Sequence, residues 1–311
     1  MANFTEFSTT RSYSSRTLEF IFYGNFFYGI CAVSLIFETA VLFDLHLNGG
    51  LIYLLAFCAT TLFYNYPYAR IDSNPSNNPR TLWHTQNRSG IRIIQILCSV
   101  LLIFGIGWIY FVHFQQFIAF NTFEWILILT FPVIGTFYYG SNFFASKYHI
   151  RQIAWIKPFS IGFVWAGITN IYPILYSNMI QSIPTDYTVM MVMQFFKTFL
   201  FTSILAIMFD IKDYQADSKS QLQTLIVKLG LRKTIFYVII PITFLGIVTF
   251  WTYALAHQFS ILKMLLIMTP FVLILLTTRS FGKRRSLLFY LIVIDGLLIV
   301  KALFGVMSVW V

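Results

Sequence analysis

Nine apolar runs, each long enough to cross about 30 Å of hydrocarbon as a helix, dominate this sequence. They fall near residues 17–43, 51–69, 91–113, 123–145, 153–176, 187–209, 233–256, 260–278 and 286–309. Each run is continuously apolar, whereas a barrel strand shows a shorter stretch of alternating polarity. The expected fold is therefore all-α, a polytopic bundle of about nine transmembrane helices around a central pocket. Hydrophobic residues make up 58% of the chain and charged residues 10%, so water cannot be its main solvent. No shift of composition marks a boundary, and residues 1–311 read as one membrane domain. The first run is too long for a signal-peptide core and no small-residue cleavage site follows it, which makes it a retained helix.

The formal charge of +10 is not that of a nucleic-acid-binding face, because the basic residues are spread over short loops. With nine spans the loops divide into two sets. One set holds Arg11, Arg16, Arg70, Arg80, Arg88, Arg92, Lys147, Arg151, Lys157 and the basic residues of 212–233 and 279–285, which is eighteen of the 21. The other set, near 44–50, 114–122, 177–186 and 257–259, holds none. The positive-inside rule then places the first set and the amino terminus in the cytoplasm, in a topology compatible with a bacterial inner membrane. The three cysteines sit inside apolar runs as small hydrophobes, and the five histidines show no paired ligand spacing.

Chemistry is expected where the polar connections gather. Asp210, Asp213 and Asp217 directly follow the sixth run at i, i+3 and i+7, which lines them along one face of a continuing helix. Three carboxylates gain nothing from a helix C-terminus and repel one another. A hard divalent cation such as Mg²⁺ compensates them and bridges carboxylates to substrate phosphates. A solvated helix end, balanced by Lys212 and Lys219, is the plainer account. Within the spans, Glu38, Lys197, Asp295 and Lys301 are costly ionisable groups and hence candidates for function. For Asp295, pairing with a lysine on a neighbouring helix is at least as good an explanation as catalysis. Asn170 and Pro173 read as a kink with one interhelical hydrogen bond. Tyr64 and Tyr68, one turn apart beside Asn65, face the expected pocket.

The segment from Leu205 through Asp210, Asp213 and Asp217 to Thr224–Gly230 resembles the second aspartate motif of the UbiA superfamily of intramembrane prenyltransferases, together with the loop after it. Ile156-Lys157-Pro158-Phe159, continuing to Val164-Trp165-Ala166, carries a weaker similarity. The resemblance implies Mg²⁺-dependent transfer of an isoprenyl group from its diphosphate to a lipid-soluble acceptor. Asp210, Asp213 and Asp217 would hold the metal and act catalytically. Lys212 and Lys228 would touch phosphate oxygens, and Asn65, Tyr68 and Arg70 would complete the substrate cage. The family's first motif, roughly NDxxDxxxD, is altered here. Asn65 matches it, but Tyr66, Ala69 and Ser73 stand at the aspartate positions, with Asp72 as the nearby carboxylate. Two explanations follow. Either Arg70, with Arg80, Arg88 or Arg92, supplies the charge of a second metal, or the chain is a non-catalytic UbiA-like lipid-binding or assembly protein. A secondary transporter is a third class, but no paired broken-helix pattern across two halves is visible.

Overall fold

The computed structural model describes residues 13–70, 79–139, 153–219, 224–282 and 287–311. These residues form α1 (Tyr13–Tyr23), α2 (Phe26–Leu42), α3 (Leu51–Asn65), α4 (Pro79–Gln86), α5 (Arg88–Val112), α6 (Phe114–Ile118) and α7 (Thr122–Tyr139). Then come α8 (Ile156–Gln181), α9 (Val189–Lys219), α10 (Leu225–Leu229), α11 (Leu231–Ala256), α12 (Ile261–Thr278) and α13 (Leu287–Met307). There is no strand among the described residues, and the chain is a polytopic all-helical membrane protein.

Seven helices, α5, α7, α8, α9, α11, α12 and α13, are long and apolar enough to cross a membrane. The α1–α2 pair, bent by 65°, makes an eighth if counted as one span. The count of nine is thus not reached by length and composition, and α3 is the reason. It has 15 residues, about 22 Å at 1.5 Å per residue. It stops at Asn65 because Pro67 brings no backbone donor, and the chain tightens into a 3₁₀ turn over Tyr66–Arg70.

Helices α8 and α9 form the centre. Their most apolar windows are 61% buried, against 11% for α5, which faces lipid. The two pack along each other, α13 packs along α2, and α2 along α3. Gly162 sets the α8–α9 spacing, since a Cβ there would collide with Ser203 Oγ and stand 2.6 Å from the Phe199 carbonyl. Phe201, Ile204, Ile207 and Met208 of α9 are fully buried, Phe201 with its ring 5.3 Å from that of Phe271 on α12. Helix α8 widens into a π turn over Gly167–Ile171, just before Pro173. Proline cannot donate to the Thr169 carbonyl four residues back. Thr39 Oγ1 of α2 donates to that carbonyl instead at 2.8 Å, and also reaches Asn170 Oδ1 at 3.1 Å. The kink and interhelical bond expected at Asn170 and Pro173 are both present.

Three charges are buried together far from the basic loops. Glu38 of α2 accepts from Lys301 of α13 at 2.6 Å and from Lys197 of α9 at 3.2 Å, with the Gln194 amide at 3.3 Å. These two lysines within the spans therefore pair with Glu38. Asp295 lines a cavity. Cys31, Cys58 and Cys98 are buried free thiols, in keeping with their apolar runs.

Candidate functional site

At the end of the bundle where the basic connections gather, a polar cavity of about 270 Å³ opens between α2, α3, α4, α7, α8, α9 and α13. Two cations, Arg80 and Lys157, and two carboxylates, Asp210 and Asp295, line it together with Tyr28, Tyr64 and Tyr68. Lys157 stands in the first turn of α8 and Asp210 about six turns along the neighbouring helix α9, so the packing of these helices brings the pair together. Lys157 Nζ donates to Asp210 Oδ1 at 2.5 Å. Asp295, two turns into α13, is hydrogen-bonded to the Tyr28 side chain of α2.

A second cavity of about 660 Å³ adjoins the first. It runs between α2, α3, α5, α7 and α8, and its lining is almost wholly apolar, with Ile36, Leu55, Leu102, Phe131, Gly135 and Ile168 among its residues. Tyr64, Tyr138, Tyr139, Ile161 and Trp165 line both cavities. This shared wall is held in place. Tyr64 stacks on Tyr28 with ring centroids 4.1 Å apart and planes 12° apart, and its hydroxyl accepts from Trp165 Nε1 at 2.9 Å. A charged chamber and a greasy slot thus meet at a fixed aromatic boundary, a geometry suited to an amphipathic ligand with an anionic head and a long apolar tail.

The mouth of the chamber is organised by the break between α1 and α2. Asn25 is buried there with φ 64°, in the left-handed region that asparagine tolerates better than most residues. Its side chain donates to Asn65 Oδ1 at 2.8 Å and to the Tyr64 carbonyl at 3.2 Å, and its Oδ1 accepts from Arg80 Nη2. Asn65 donates in turn to the Gly24 carbonyl at 2.9 Å and the Thr61 carbonyl at 3.0 Å. His84 Nε2 lies 2.9 Å from the Tyr23 carbonyl, which requires the Nε2–H tautomer, and the ring stacks on Tyr68 at 3.9 Å. Burial, reinforced by the Arg80 charge, pushes the His84 imidazole down to about 4. Burial also opposes the Arg80 charge. Tyr68, Tyr28 and Asp295 outweigh it, and the guanidinium holds its proton more tightly than usual.

The structure places the expected residues unevenly. Asp210 and Tyr68 line the chamber. Asn65 lies just outside it, with its amide committed to Gly24 and Asn25. Lys228 is exposed on α10. Helix α9 continues through Lys219, which keeps positions 210, 213 and 217 in one helical register. The side chains of Arg70, Lys212, Asp213 and Asp217 lie outside the described residues, as does the stretch 71–78 with Asp72. Among the described residues no group of three or more His, Cys, Asp or Glu is placed to hold a metal. Sequence reasoning gave Lys157 no role in the site and left Arg80 as one arginine among several. The lysine's signal was its place before Pro158 at a helix start, and the arginine's was its place after Pro79 at the start of α4.

No family model matches the chain, and no curated protein matches it. One solved structure that does match is described as giving structural and mechanistic insights into the biosynthesis of digeranylgeranylglyceryl phosphate synthase in membranes. It aligns over 94% of this chain and 98% of its own with a TM-score of 0.55 and 14% identity, a likeness of fold.

Proposed function

We propose that this chain is a single-domain UbiA-like membrane prenyltransferase, which moves an isoprenyl group from its diphosphate to a lipid-soluble acceptor with the help of Mg²⁺. The observation that carries this reading is the junction of the two cavities at Tyr64 and Trp165. A diphosphate in the polar chamber would lie with its first carbon at that boundary and its tail in the slot. The likeness of fold to a membrane prenyl-lipid synthase supports the same reading.

Asp210, with Asp213 and Asp217 on the same helical register, would hold the metal. When bound, Mg²⁺ stabilises charge on the leaving diphosphate as a Lewis acid. The carboxylate of Asp210 supplies hard oxygen donors facing the chamber, which is the donor chemistry the ion prefers. Lys157 would turn from Asp210 toward a phosphate oxygen as the head group enters, joined by Lys212, Lys228 and Arg70 from the surrounding loops. Asn65 serves by position, holding the α1–α2 break and the ends of the Tyr28–Tyr64 stack. The C–O bond to diphosphate breaks with its electron pair on oxygen. The rings of Tyr28, Tyr64, Tyr138 and Trp165 shelter the allylic cation. The acceptor then bonds to the first carbon and releases a proton. The basic loops and amino terminus would face the cytoplasm, so the chamber opens to the soluble side where diphosphates arise.

A second reading is a non-catalytic lipid-binding or assembly protein of the same fold. The Lys157–Asp210 ion pair favours it, because a lysine then does permanently what a metal would do in turnover. Purified protein incubated with prenyl diphosphates of several chain lengths separates the two. The transferase releases diphosphate only with Mg²⁺ and loses that release in Asp210→Asn. The binding protein retains the prenyl diphosphate without releasing diphosphate.

A further inference from the structure

The apolar slot is sealed by packing on two flanks and at its far end. On the α3–α5 flank Gly105 lets the helices close, since a Cβ there would stand 2.6 Å from Leu55 Cδ2 and 3.3 Å from Leu51 Cδ1. On the α7–α8 flank a Cβ on Gly167 would collide with the fully buried Phe131 ring, and Tyr172 Oη donates to the Ile128 carbonyl at 2.6 Å. The end away from the chamber is stopped by an apolar cluster. There Ile36 and Ala56, both in the lining, join Leu47, Tyr176 and Met179, while Phe117 of α6 sets its ring 4.9 Å from that of Trp125 on α7. The remaining flank differs. Helix α5 packs along α3 and α7 along α8, and between α5 and α7 the lining residues Ile106 and Pro132 are exposed, Ile106 by 57%. Residues 88–139, which carry α5, α6 and α7, are all described. Along α3 the lining runs from Tyr64 at the chamber to Ile52, twelve positions away, which is about 18 Å of helix. An isoprene unit adds four chain bonds, roughly 5 Å when extended, so the slot houses about three to four units.

We infer that the slot holds only the leading isoprene units of the donor, and that the rest of the tail leaves sideways into the bilayer between α5 and α7, past Ile106 and Pro132. The inference rests on the diphosphate reading and narrows its substrate class to long-chain prenyl diphosphates drawn from the membrane, with no upper limit on length. A blind tunnel of the same depth would reject any longer tail. Here bilayer chains stand in for the missing wall. They are as apolar as the leucines and isoleucines of the slot, so units beyond the outlet neither help nor hinder binding.

Titration calorimetry of the full chain in lipid nanodiscs with Mg²⁺ tests this. The probes are prenyl thiolodiphosphates of two, four and eight isoprene units, whose C–S bond ionises poorly, with inorganic diphosphate as the tail-free reference. Ile106→Trp places an indole in the outlet. Its dissociation constant is divided by that of wild type at each length, so that partition of the probe into the bilayer cancels. This ratio is expected to climb about tenfold or more from the two-unit to the eight-unit probe. Ile103→Trp, at a 71% exposed position of α5 outside the lining, should follow wild type at every length. A ratio that does not change with length overturns the inference and leaves the diphosphate reading standing, because the tail then leaves elsewhere. An equal climb in Ile103→Trp also overturns it, by assigning the effect to the lipid face of α5. Wild type that binds the two-unit probe and refuses the eight-unit probe overturns it as well, since the slot is then a blind tunnel. Binding of neither inorganic diphosphate nor any prenyl probe overturns the inference and the diphosphate reading together. Should Ile106→Trp fail to fold, Leu102→Phe, one turn away in the same lining, carries the same comparison.

Discussion

Asn25 and Asn65, forty positions apart, share a buried amide–amide hydrogen bond of 2.8 Å that ties the end of α3 to the break between α1 and α2. Each amide also serves a second helix end, through Asn65 to the Gly24 carbonyl and through Asn25 to Arg80. Removing Asn65 strands several buried polar groups at once. Asn65→Ala should cost about 1–3 kcal/mol of stability, seen as a lower thermal midpoint in detergent. It should also loosen the chamber wall, because Asn25, to which Arg80 donates, loses its partner. Unchanged stability would show that the amide network is not what holds the break.

The Glu38 triad gives a sharper expectation. Both amines sit on one carboxylate in a site where all three side chains are 6% exposed or less. Glu38→Gln leaves two buried ammonium groups facing each other without a counter-charge, at a cost on the order of 3–5 kcal/mol. Adding Lys301→Met to Glu38→Gln should recover part of the loss in a thermal melt, since one of the stranded charges is then gone.

His84 sets a pH dependence. Its folded value is about 4 against an ordinary 6.5, so below pH 6.5 the unfolded chain takes up a proton that the folded chain refuses. Stability from this residue is complete above 6.5 and falls as pH drops toward 4. His84→Gln keeps a donor for the Tyr23 carbonyl and should flatten that part of a melting-temperature profile.

Asp295→Asn should tighten the chamber's hold on inorganic diphosphate. The carboxylate lines the same cavity as Arg80 and Lys157, where it repels an incoming anion and shares the Arg80 charge. A weaker affinity in the calorimeter would instead assign Asp295 the task of orienting Arg80.

Gly135→Leu probes the slot. A Cβ at Gly135 would make ordinary contact with Phe63 at 3.5 Å, so the backbone accepts a side chain there and the added bulk extends into the apolar cavity. Prenyl diphosphates with long chains should lose turnover more than short ones do. A uniform loss across chain lengths would mean that the tail lies elsewhere.

The broad architecture was legible because its cause is local. Continuous apolar runs dictate helices, and α5, α7, α8, α9, α11, α12 and α13 stand close to where those runs lie, while the short α6 and α10 fall in stretches that read as loops. The end of α3 was harder to read, since Pro67 shortens it inside a run that hydropathy alone extends. Asp210 announced itself by its spacing with Asp213 and Asp217. Lys157 and Arg80 did not, because their significance arises only when α8 packs against α9 and when α4 folds over the α1–α2 break. For the same reason Glu38 and Lys301, 263 positions apart, read in the sequence as two costly charges and not as a pair.

The interruption at Asn25 reaches beyond packing. Helix α2 starts afresh at Phe26, and its third residue, Tyr28, already lines the chamber. The first backbone amides of any helix lack intrahelical acceptors and together present about half an elementary positive charge. The carbonyls that end α1 set the opposite pole only two residues away, so the break is a compact dipole beside the cavity, built from peptide groups, that neither chelation nor titration can remove.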